Sequence, residues 1–128
     1  MRIDHIALWS VDPERAKEFY VRYFGGIAGD CYHNPKTGLR TWFLTFDDGA
    51  RLEIMSRADV VSPSPADGTR VGWAHIAFGV GSRARVDALT DELSAAGYLV
   101  LSAPRITGDG YYESCVADPD GNRVEITE

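Results

Sequence analysis

Ile3-Asp4-His5-Ile6-Ala7-Leu8 returns seventy residues later as Trp73-Ala74-His75-Ile76-Ala77-Phe78. Asp48-Gly49-Ala50-Arg51-Leu52-Glu53-Ile54 returns seventy-two residues later as Asp120-Gly121-Asn122-Arg123-Val124-Glu125-Ile126. Two copies of one module are the economical explanation. Each copy carries one histidine and one glutamate in matching places, so pairing of the modules about a pseudo-twofold axis would bring two imidazoles and two carboxylates to one point. That is a metal-binding set.

Working outward from the first repeat, residues 2–9 read as a buried strand, with Ile3, Ile6 and Leu8 around His5. Asp12-Pro13 opens a helix: Asp12 accepts from free first-turn amides, Pro13 suits the first helical position and Glu14 the positive end of the dipole. Ala16, Phe19, Tyr20, Tyr23 and Phe24 follow at helical spacing, and Gly25-Gly26 ends the run. An extended stretch near 29–33, a turn at 34–38, a strand at 39–46, a tight turn at 47–49 and a strand at 51–55 complete the module. The order is β-α-β-β-β.

The second module repeats it. A strand at 74–80 leads to a helix capped by Ser82, with Val86, Leu89, Leu93 and Ala96 on its inner stripe and Gly97 at its end. Strands at 98–102, 111–117 and 122–127 follow, the last two joined by the turn Asp118-Pro119-Asp120-Gly121. Residues 104–110 read as a loop that breaks the symmetry, and such departures are where specificity tends to sit. The expected fold is α+β: two tandem βαβββ modules forming a cupped mixed sheet with helices on its outer face. It is a single domain over 1–128, with module 1 at 1–56, a linker at 57–72 and module 2 at 73–128.

A length of 128 residues suffices for a core without staples, and 45% hydrophobic with 25% charged residues is an ordinary globular composition. No apolar run approaches the ~20 residues of a membrane span, so a membrane role is not expected. Cys31 and Cys115 lack a Cys-x-x-Cys spacing and read as packing residues in a cytoplasmic protein, the N-terminus showing no secretory signal. With a net charge of -6, and 13 basic residues scattered among 19 acids, the chain lacks the clustered cations of a nucleic-acid binder. A small-molecule partner is the expectation.

Alone, a histidine in an apolar strand is more often a hydrogen-bonded structural residue, and a glutamate between Leu52 and Ile54, or between Val124 and Ile126, is a solvated group on an open sheet. The match between copies favours the metal reading. Two carboxylates held together without a cation would raise the pKa of one, and a divalent ion removes that conflict. His5, Glu53, His75 and Glu125 are the candidate metal ligands; two nitrogens and two oxygens suit one divalent ion, Zn, Ni, Co, Mn or Fe, with positions left for water or substrate.

These residues carry a family likeness. In Asp4-His5-Ile6-Ala7-Leu8, the early helix ending Phe19-Tyr20 to Phe24-Gly25, Ala74-His75-Ile76-Ala77-Phe78 and the stretch from Asp118 to Ile126, the chain resembles the vicinal oxygen chelate superfamily. That group includes glyoxalase I, bleomycin-resistance proteins, fosfomycin-resistance transferases, methylmalonyl-CoA epimerase and extradiol dioxygenases. The resemblance covers nearly the whole chain and implies a homodimer around a metal, and its His/Glu/His/Glu pattern is closest to bacterial glyoxalase I. It implies a metal-dependent lyase or isomerase in which Glu125 or Glu53 leaves the metal and moves a proton between adjacent carbons. Extradiol-type dioxygenase or epimerase chemistry and non-catalytic drug binding are the alternatives. Glyoxalase I usually has an Arg four residues after the first ligand and an Asn four after the second; here stand Trp9 and Arg57, so glutathione is not the expected cosubstrate. Trp9, Arg57, Arg105 and Tyr111 are the candidate substrate contacts.

Overall fold

Asp12 and Pro13 start the first helix as their chemistry requires: the Asp12 carboxylate accepts from the Arg15 amide at 3.2 Å, and α1 runs Pro13–Phe24. The helix ends at Gly25 in the left-handed region (φ 70°), where the Gly26 amide reaches back to the Tyr20 carbonyl at 3.1 Å. In the computed structural model residues 1–62 and 72–128 are described. Pro63, Pro65, Asp67 and Gly68 of the expected linker lie outside them.

The chain divides into two units, Met1–Gly68 and Thr69–Glu128. In the first, strands β1 (His5–Trp9), β2 (Ile27–Ala28), β3 (Tyr32–His33), β4 (Arg40–Thr45) and β5 (Arg51–Ser56) accompany α1. The sheet order is β1-β5-β4-β2, with β3 also pairing β4; β1 runs parallel to β5 and the other pairs are antiparallel. The stretch expected near 29–33 is thus two short strands on one partner, with the Gly29 amide bonded to the Phe43 carbonyl between them. Ile3 lies before β1 and is exposed.

In the second unit β6 (Ile76–Gly79), α2 (Arg83–Ala95), β7 (Val100–Ile106), β8 (Tyr112–Ala117) and β9 (Arg123–Thr127) give the plain β-α-β-β-β order. Its sheet is β6-β9-β8-β7, with β6 parallel to β9 and the rest antiparallel. The fold is therefore α+β, one mixed sheet and one helix per unit. The loop expected at 104–110 is shorter, because Pro104, Arg105 and Ile106 belong to β7. An edge strand tolerates a proline that cannot donate to the ladder, and the register shifts between Val100 and Arg105 absorb the misfit.

Alternation then decides the cores. Trp42, Leu44, Leu52 and Ile54 are buried with Ala16, Phe19 and Tyr20 of α1. Val116, Val124 and Ile126 are buried with Val86, Leu89 and Leu93 of α2. Each such side chain stabilises its unit by about 1.5–3 kcal/mol relative to exposure. Ala96, expected on the inner stripe of α2, is instead the exposed residue capping it, and Thr90 takes the buried place.

The Thr90 hydroxyl lies 2.6 Å from both the Val86 carbonyl and the buried Ser114 hydroxyl. Thr90→Val keeps the shape but strips Ser114 of this partner in the core. The expected cost is about 1–3 kcal/mol in urea unfolding, and adding Ser114→Ala should recover part of it. An unchanged midpoint for the single variant would show that the hydroxyl pair contributes nothing.

Candidate functional site

Because Leu52 and Ile54 point to α1, Glu53 must project from the opposite face of its sheet. Parallel pairing sets Ala7 beside Glu53, and strand alternation puts His5, two residues earlier, on the same face. The second unit repeats this register: Ala77 pairs with Glu125, while Val124 and Ile126 are buried on the helix side. Each glutamate thus has an alanine beside it on the parallel strand, and Phe43 or Cys115 beside it on the antiparallel one.

His5 Nε2 stands 3.8 Å from Glu53 Oε2, and His75 Nε2 stands 3.1 Å from Glu125 Oε2. The imidazoles are each 41% exposed while the carboxylates are 13% and 21% exposed, so each pair is a shielded oxygen beside an open nitrogen. Neither unit by itself gathers three or more His, Cys, Asp or Glu side chains about one point among its described residues. Each unit sets one imidazole beside one carboxylate. An imidazole facing a carboxylate is donor chemistry that fits a divalent transition-metal ion.

The two His–Glu pairs are not equally supported. His5 Nδ1 lies 2.9 Å from the Asp4 carboxylate, which also accepts from Arg51 at 2.5 Å. Arg51 covers the Phe43 ring at 4.4 Å, and the His5 ring meets Phe43 edge-on at 5.3 Å. The hydrogen bond to His5, then that to Arg51 and the guanidinium charge, hold the Asp4 carboxyl at about 2 against an ordinary 3.8. Asp4 is therefore an anion at neutral pH. The second unit has Ala74 at the equivalent position, and Cys115 rather than Phe43 pairs with the glutamate strand. Sequence reasoning passed over Asp4; the signal available was that the acid beside the first repeated histidine has no counterpart beside the second.

Trp9 shares the face of His5 and Ala7, is 46% exposed, and carries the Arg57 guanidinium 5.4 Å from its ring. Arg57 also grips Asp59 through two bonds of 2.5 and 2.8 Å, so its charge is already matched. Arg105 pairs in register with Glu113 and donates to it at 3.2 Å. Tyr111 precedes β8, with its ring 60% exposed and its amide bonded to the Thr107 hydroxyl. Trp9 and Arg57 thus accompany the His5–Glu53 pair, and Arg105 and Tyr111 belong to the second unit. Both cysteines read as packing residues, but only Cys115 is buried, and burial pushes its thiol up; Cys31 is exposed, next to the equally exposed strand β3. No helix among the described residues is long and apolar enough to cross a membrane.

Residues 2–126 match the profile of the Glyoxalase/Bleomycin resistance protein/Dioxygenase superfamily. The chain is 30% identical over 125 residues to the uncharacterized protein YqjT of Bacillus subtilis (strain 168), covering 95% of this chain and 94% of that one. A lactoylglutathione lyase from Agrobacterium tumefaciens superimposes with a TM-score of 0.68 at 27% identity, covering 98% and 92% of the two chains. Glyoxalase I from Zea mays gives a TM-score of 0.77 over 98% of this chain, which spans 44% of the maize protein; at 20% identity that likeness concerns the fold.

Proposed function

Because the chain belongs to the Glyoxalase/Bleomycin resistance protein/Dioxygenase superfamily, we propose that it is a metal-dependent lyase or isomerase of the glyoxalase I type, moving a proton between adjacent carbons of a small molecule. The observation that carries this reading is the repeated His–Glu half-site, in the same strand register in both units. His5, Glu53, His75 and Glu125 would hold one divalent ion, Zn, Ni, Co, Mn or Fe. When bound, such an ion polarises a substrate oxygen and acidifies the neighbouring C–H bond.

The chain's own groups do the rest. Glu125, the more exposed of the two carboxylates, takes the proton from one carbon and returns it to the next. Trp9, Arg57, Arg105 and Tyr111 would contact the substrate; the exposure of Trp9 and Tyr111 supports this for the two aromatic rings. Arg57 is held by Asp59 and Arg105 by Glu113, which makes neither a ready receptor for a substrate carboxylate and argues against glutathione. The working form is a homodimer.

The test begins with elemental analysis of protein purified without chelator, where about one transition-metal ion per chain is expected. Metal-replete protein supplied with the glutathione hemithioacetal of methylglyoxal should turn over poorly. With a hemithioacetal built from an apolar thiol it should do better, with solvent deuterium entering the product. A protein that takes up no metal from solution and still sequesters an aromatic ligand would replace this reading with drug binding.

A further inference from the structure

The two histidines differ in what holds their rings, and this decides how each meets an ion. A ligating imidazole must present a lone pair, and a hydrogen bond at its other nitrogen fixes which nitrogen that is. Asp4 accepts at His5 Nδ1, so the ring proton resides there and the Nε2 lone pair is left on the side of Glu53. Arg51 locks Asp4 from behind, and Phe43 sets the ring edge-on. Among the described residues no carboxylate performs this service for His75, which follows Ala74 where His5 follows Asp4. Among the described residues His75 meets Glu125, on its Nε2 side.

We infer that Asp4 is a positioning residue that presets the first half-site for an incoming divalent ion, making His5–Glu53 the anchored half and His75–Glu125 the exchangeable one. Burial agrees, since the Glu53 side chain is 13% exposed and Glu125 21%. The consequence for chemistry is a division of labour: a carboxylate that must leave an ion and come back is better drawn from the half that is not preset. The inference rests on the metal-binding reading above, and its test is arranged to separate the two.

In metal-free wild-type protein, two-dimensional nitrogen-15 spectra of the histidine rings report the tautomer directly. His5 is expected as the Nδ1–H form and His75 not. Next, Zn(II) is titrated against a chromophoric chelator with wild type, Asp4→Asn and Asp4→Leu, thermal melting serving as the check on folding. Asp4→Leu should weaken Zn(II) binding by roughly 10- to 100-fold. Asp4→Asn, which keeps an acceptor oxygen, should recover most of that loss; a purely structural role for Asp4 would predict no such rescue. His5 found with its proton on Nε2, or Zn(II) affinity unmoved in a folded Asp4→Leu protein, overturns the inference. Absence of Zn(II) binding by wild type, with His5 still in the Nδ1–H form, overturns the metal reading instead.

Discussion

Glu125→Gln is expected to lower turnover by about 100- to 10,000-fold while the protein keeps part of its metal, because the amide preserves an oxygen donor but cannot carry a proton between carbons. The position matters more than the residue type. Glu125 is set by β9 between the buried Val124 and Ile126, on the face it shares with Ala77 of β6 and Cys115 of β8, with His75 Nε2 3.1 Å from its carboxylate. Glu53→Gln is the control: its half-site is braced by Asp4, Arg51 and Phe43, so its loss should appear mainly as metal affinity. Measured kcat and metal content of both variants, on whichever substrate wild type turns over, separate the roles. Turnover surviving Glu125→Gln would reassign the base to Glu53.

Phe19→Ala should cost about 3–5 kcal/mol of unfolding free energy, the largest stability effect expected of a single change in the first unit. Phe19 is 1% exposed and lies at the centre of the aromatic cluster on α1, with ring centroids of Tyr20, Tyr23 and Phe24 at 5.0, 5.6 and 5.5 Å. Removing it leaves a cavity bounded by stiff rings that cannot collapse inward. In urea the midpoint should fall with little change in slope. A loss below about 1 kcal/mol would mean that the helix repacks, since values that small characterise sites able to relax.

Much of this architecture was legible in the chain itself, and the residues show why. Asp12-Pro13 and Ser82 begin helices, and Gly25 and Gly97 end them through positive φ, because caps are local devices that depend on a few consecutive residues. Glu53 and Glu125 were assignable to the face away from the helices by alternation alone. The Asp118 turn follows its sequence too, the Asp118 carboxylate accepting from the Asp120 and Asn122 amides.

Neighbours across the sheet were another matter. That Pro104 and Arg105 lie in a strand depends on β7 being the edge of its sheet. Placing Thr90 inside depends on Ser114 arriving from β8, and the bracing of His5 depends on Arg51 coming alongside through the parallel pairing of β1 with β5. The sequence by itself determined the duplication, the element order apart from the splitting of one strand in the first unit, the helix ends and the face on which each glutamate lies, all consequences of short-range geometry. Only the tertiary structure decided which of two like half-sites is braced, because a hydrogen bond between Asp4 and Arg51 joins residues that no local periodicity relates.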